Sequence, residues 1–286
     1  MNYDKYFIPQ KYCVLRNWID IDKLSCQLSA NLNANRLLKL HQNKINWQKL
    51  SQNPYGIDIL YDNQDKIDWS RLSSNPNAIQ LIQDNFDKIH WDWLCLNNNA
   101  IDLLIQYPDK ISWSIFCENI NSIEILSQNI DKINWNWLSS NPNAIQLLLQ
   151  NSNKINWKWL SLNSNAIDLL KQNQKNIDWS NLSLNPNGIK LLEKNKKKIN
   201  WTNLSMNPNG IELLEQNLDK INWVELSANP YAIFLLEQHK DKINWNKLSQ
   251  NPAIFTFDYC QIKKDNEQLT KELIEYFYHP NRLFNG

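Results

Sequence analysis

The side chains with most chemistry to offer are four histidines, His41, His90, His239 and His279, and five cysteines, Cys13, Cys26, Cys95, Cys117 and Cys260. Histidine could serve as a general base near neutral pH, and grouped thiols and imidazoles could hold zinc. Neither grouping forms. The histidines are scattered, and His41 and His239 fall at equivalent points of a recurring pattern that otherwise carries Asn, so they read as column substitutes. No CxxC pair occurs, and an odd cysteine count makes no disulfide framework. Cys95 and Cys117 share a point usually held by Ser and read as small core filler. Asp58 and Asp62, four apart, suggest a carboxylate pair for acid and base work. A solvated helix face explains them better, because no nucleophile or His accompanies them. Gly is confined to positions 56, 188, 210 and 286, too sparse for a phosphate-cradling loop. No catalytic, cofactor or metal residue is expected, and the chain reads as non-enzymatic.

Any such chemistry would have to be positioned by repeats. Trp recurs at 47, 69, 91, 113, 135, 157, 179, 201, 223 and 245, a spacing of 22 without insertion or deletion. With Trp as position 1, position 4 is Leu except Phe116, position 7 is Asn from Asn53 to Asn251, and the preceding position 21 is Ile. Internal repetition of this length signals units that bury their apolar faces only against one another.

Each column has a physical reading. Asn at position 7 stands before Pro in seven copies, the N-cap and N1 order of a helix start. The following "AIxLL" places positions 10, 11, 13, 14 and 17 on one arc and the polar positions 9, 12 and 16 on the other. Position 17, usually Asn, is expected to stop this helix of about ten residues in a left-handed conformation. Position 22 is again an N-cap set, with His90 the weak member, and a shorter helix is expected to begin at Trp.

The expected fold is all-α: an α-solenoid of about ten 22-residue two-helix repeats with capping segments. A leucine-rich-repeat-like solenoid is the alternative, since "WxxLSxNPNAI" partly matches its consensus. Position 6 weighs against it, because Gln52, Ser74, Glu118 and Gln250 occupy a point where a strand needs an apolar residue. The expected organisation is residues 1–46 as an N-terminal cap and degenerate first repeat, 47–258 as tandem repeats and 259–286 as a C-terminal cap helix. In the first repeat Ser25 stands where Trp belongs.

Composition limits the partners. The net charge of +1 gives no general attraction to nucleic acid or an anionic membrane. Apolar runs such as "AIQLLL" fall far short of the roughly 20 residues that span a bilayer. The opening "MNYDKYFIPQKYC" lacks the apolar core of a signal peptide. A soluble, intracellular protein is expected.

The unit "NPNAIxLLxxNxDKINWxxLS", with the closing "ELIEYFYHPNRL", resembles tandem-repeat proteins of giant DNA viruses of the mimivirus type. The resemblance implies a viral protein in the cytoplasm of an infected amoebal host, and it carries no catalytic residues to transfer.

What varies between repeats is where such proteins keep specificity. Positions 2, 3 and 6 of the short helix are expected to point outward, yet position 3 is Trp93, Ile115, Trp137 and Trp159 in four successive copies. With Leu96 and Leu162 at position 6, they form a candidate protein-binding or self-association stripe; a packed Trp ladder is the alternative. Lys190, Lys194, Lys196, Lys197 and Lys198 form a candidate basic patch, otherwise a solvated face. The expected function is a scaffold binding a host or viral protein along its surface. The alternative is a self-assembling component of the viral particle or factory.

Overall fold

The computed structural model describes residues 6–277. About 64% of the chain is helical, in regular repeating pairs, with almost no sheet. Residues 135–156 illustrate one unit: an α-helix Trp135–Ser140, a 3-10 turn Pro142–Ala144, an α-helix Ile145–Gln150 and a second 3-10 turn Ser152–Lys154. The expected ten-residue second helix is therefore a 3-10 turn running into a shorter α-helix. Helices this short are not stable alone, so the packing between units holds them.

The sequence columns map onto this geometry with one change of mechanism. Asn141 accepts the Asn143 N–H at 3.0 Å through Oδ1, capping the 3-10 turn with Pro142 at its first position. Asn151 ends the second helix without a left-handed residue: its φ is −127°, and among the described residues no non-Gly φ is positive. Its Nδ2 instead donates to the Leu147 carbonyl at 2.9 Å, satisfying an acceptor that the helix end leaves open. Ser139 Oγ donates to the Trp135 carbonyl and accepts the Asn156 N–H, tying the start of the unit to its end. Asn156 Oδ1 caps the next helix by accepting the Trp159 N–H, whereas His90 makes no such bond.

The core lies inside each unit. Leu50, Leu72, Leu94, Phe116, Leu138 and their equivalents at position 4 are fully buried, as are most residues at positions 10 and 14. Trp at position 1 is only half-buried. Lys at position 20 of the same unit covers it in five units, from 4.2 Å for Lys132 over Trp113 to 4.8 Å for Lys66 over Trp47. This cation–π contact gives the Lys of the "DKIN" motif its role.

Units are joined by a buried ladder. Asn141 Nδ2 donates to the Cys117 and Asn119 carbonyls of the preceding unit, both at 2.9 Å. Equivalent pairs of bonds are made by every position-7 Asn from Asn53 to Asn251. With its Oδ1 capping and its Nδ2 bridging, each buried amide is satisfied, as burial requires.

The row of units does not end. Asn31, in the degenerate first repeat, donates to the Ser249 and Asn251 carbonyls at 3.1 and 2.8 Å, the same two bonds made at every other joint. The first unit therefore stacks on the eleventh, and the row of units closes on itself.

The eleventh unit is built from both ends of the chain. Ser25 donates its N–H to Ser249 Oγ at 2.9 Å, as Asn244 does to Ser227, so it fills the cap position and not the Trp position assigned from sequence. Lys23 lies 5.0 Å over Trp245, as position-20 Lys lies over Trp elsewhere. Where a second helix would follow, β1 (Cys13–Leu15) pairs antiparallel with β2 (Phe255–Phe257), with Val14 opposite Thr256. Arg16 secures the seam, its backbone N–H donating to the Ile254 carbonyl and its Nε to the Ala253 carbonyl at 2.8 Å. The helix Tyr259–Phe277 then leaves the ring, held by Lys11 Nζ at 2.6 Å from Asp265 and leaving Tyr259 and Leu269 exposed. His279 lies outside the described residues, as does the second half of the closing motif, 278–283.

Candidate functional site

The stripe residues occupy equivalent points of four consecutive first helices, Trp91–Leu94, Trp113–Phe116, Trp135–Ser140 and Trp157–Leu160. All six, Trp93, Leu96, Ile115, Trp137, Trp159 and Leu162, are half-buried and not exposed as expected. The fully outward position is 2, where Asp92, Ser114, Asn136 and Lys158 are exposed. A helical wheel for one isolated helix misses this, because in the ring each first helix has a neighbour on either side that covers position 3.

Position 3 is a lateral contact column in polar units too. Lys247 Nζ lies 3.0 Å from Glu225 of the preceding unit, and Asn181 and Asn203 donate to the preceding Lys158 and Ser180 carbonyls at 2.9 Å. In the apolar units the same contact is made between apolar side chains. Trp137 and Trp159 have ring centroids 5.0 Å apart at 42°, and Ile115 and Trp137 also pack against the core. The stripe is thus partly a packed ladder, with a half-exposed apolar edge spanning four units.

Lys190, Lys194, Lys196, Lys197 and Lys198 are all exposed, at the end of one second helix and the 3-10 turn after it. Among the described residues none of them lies within 4.0 Å of a carboxylate, and Lys198 is drawn 4.4 Å over Trp179. The patch therefore carries charge that no local acid neutralises.

Three of the five thiols, Cys13, Cys95 and Cys117, are buried, whereas Cys26 and Cys260 are exposed. Burial pushes the Cys13 thiol up to about 12 and Cys95 up to about 11, so both stay protonated near neutral pH. Cys117, also buried, is raised for the same reason. Asp58 is bound by Lys39 Nζ at 2.5 Å and by Asn35 Nδ2 at 3.0 Å, so it is not free to pair with Asp62. Among the described residues no group of three or more His, Cys, Asp or Glu could hold a metal, and no helix is long and apolar enough to cross a membrane.

Sequence reasoning missed the split eleventh unit, although the signal exists. "DIDKLSC" at 20–26 is a version of "NIDKINW" at 129–135. It also missed Tyr55 and Tyr231, which replace Asn at position 9 and meet the N-terminal segment: Phe7 stacks on Tyr55 at 4.0 Å, and Tyr6 meets Tyr231 edge-on at 5.3 Å.

No family model matches the chain, and neither does any curated protein or solved structure.

Proposed function

We propose that this closed α-solenoid ring is a non-enzymatic scaffold that binds a host or viral protein across the units carrying Trp93, Ile115, Trp137 and Trp159. The observation that carries the reading is ring closure. A row of identical units with free edges would grow by stacking, whereas here the carbonyls of Ser249 and Asn251 are taken by Asn31 of the same chain. That weighs against self-assembly through repeat edges and leaves the variable outer positions on a fixed frame. In line with the viral resemblance, the place of action is the cytoplasm of an infected cell. A protein surface is the partner class, with nucleic acid, membrane and cofactor playing no part.

The test combines mass measurement with capture. Light scattering on a sizing column should give a monomer at every concentration, where stepwise growth would favour the assembling component. Replacing Trp93, Trp137 and Trp159 together by Asn should keep the fold, because Asn181 and Asn203 at this position make their own bond to the preceding unit. Proteins captured by the wild type from infected cells should be lost with this variant. Undiminished capture by a folded variant would remove the stripe from the proposal.

A further inference from the structure

The 3-10 turn that closes each unit carries an Asp followed by Lys in six of them: position 19 is Asp65, Asp87, Asp109 and Asp131 in four successive units, then Asp219 and Asp241 in two later ones. Three successive units between these sets break the column. They carry Asn153, Lys175 and Lys197, on the turns Ser152–Lys154, Gln174–Asn176 and Lys196–Lys198. Losing the acid in three neighbours, and replacing it twice by Lys, turns a charge-balanced column into a basic one.

The rest of this outer face follows the same trend. Lys154 and Lys171 stand in the first two of these units, and Lys190, Lys194, Lys196 and Lys198 in the third, all exposed like Lys175 and Lys197. Only Asp168, which Lys171 Nζ meets at 2.8 Å, and Glu193 oppose them there. The columns are held in register by the Asn joints: Asn185 donates to the Ser161 and Asn163 carbonyls of the preceding unit, which sets Lys197 beside Lys175 as Trp159 is set beside Trp137.

Acidic units bound this band on both sides. Glu124 and Asp131 precede it, and Glu212, Glu215 and Asp219 follow it, all exposed. At roughly 8–10 Å per packed unit the band is about 25 Å long, the reach of about eight extended residues. A long polyanion would run onto the flanking acids, whereas a short anionic segment would not.

The side chains present also separate one anion from another. The band holds no Arg, whose planar fork is the favoured group for phosphate and nucleic acid, and Lys presents a compact charge on a flexible stem that adapts to carboxylates of varied spacing. None of its exposed residues is aromatic, so nucleic-acid bases would have no surface to stack on.

We propose that this band docks an acidic protein segment of about eight residues, whose Asp and Glu carboxylates meet Lys175, Lys190, Lys194 and Lys197. The site lies on the second helices and the turns after them, not on the first helices that carry Trp137 and Trp159, so it holds whether or not that stripe binds.

Fluorescence anisotropy with a labelled octaglutamate peptide tests this. Binding should saturate at low salt and weaken as salt is raised. Lys175→Asp with Lys197→Asp, which installs the residue of six other units, should weaken it by about ten-fold or more. Lys264→Glu with Lys271→Glu, an equal change of charge on the exposed C-terminal helix, should weaken it by about two-fold at most. Thermal melts confirm that both variants fold. Absence of saturable binding at low salt overturns the proposal, as does an equal loss in the two variants. So does binding of an eight-nucleotide oligothymidylate as tight as that of the peptide. A mass that doubles at low salt, and no longer does so in the Lys175 and Lys197 variant, would overturn it too, by making the acidic units of a second copy the occupant.

Discussion

Asn31 donates from Nδ2 to the backbone carbonyl of Asn251, 220 residues away, at 2.8 Å. The same bond joins Asn53 to Asn31 at 3.1 Å and Asn251 to Asn229 at 2.9 Å. The seam is therefore one joint among eleven equivalent ones, and its strength should match theirs.

That equality can be measured. Asn31→Ala and Asn141→Ala each remove two bonds to buried carbonyls and one cap, at a cost of about 2–4 kcal/mol. Asn143→Ala removes a single exposed bond to the Ile120 carbonyl and should cost about 1 kcal/mol or less. Urea melts should rank the three accordingly. A negligible loss at Asn31 beside a large one at Asn141 would mean that the seam is not a true joint.

The strand pairing gives a covalent check. Val14 lies directly opposite Thr256, a spacing within reach of a disulfide, so Val14→Cys with Thr256→Cys should cross-link on oxidation. The loop so closed is nearly the whole chain, and the chain-entropy estimate puts the gain near 5 kcal/mol. Faster migration on non-reducing gels, absent in either single variant, reports closure. Failure to cross-link under mild oxidation would argue for an open row.

Cys95 supplies a pH test. Burial raises its thiol from the ordinary 9.0 to about 11, so the stability linked to it is complete below pH 9 and is lost as pH climbs toward 11. Cys95→Ser installs the residue that nine other units carry at this position and removes that titration. The variant should be close to wild type at pH 7 and lose less stability between pH 9 and 11. Parallel curves would show that Cys95 does not contribute to alkaline unfolding.

The stripe makes a graded prediction. Trp137 packs its tilted ring against Trp159 and touches the core, so Trp137→Asn should cost about 1–2 kcal/mol. Trp93, with no aromatic neighbour of this kind among the described residues, should cost less when changed to Asn. Equal costs would show that the Trp137–Trp159 contact carries little energy.

Much of this was written in the sequence by itself. The period of 22, the Asn and Pro of each helix start, the Leu at position 4 and the Asn, Asp or Ser before each Trp act within one unit, and local rules suffice to read them. Even there the sequence under-described position 7, whose Asn both caps its own turn and bridges to the unit before. The half-burial of Trp137 and the engagement of Asp58 by Lys39 depend on neighbours 22 residues or so away. Ring closure depended on the tertiary structure alone. Whether units close or spiral is set by a small rotation at each joint, which no residue column records, and the angle becomes visible only when eleven joints are summed. The closure then decided the rest: it placed Ser25 and Lys23 in the eleventh unit and turned β1 and β2 into partners.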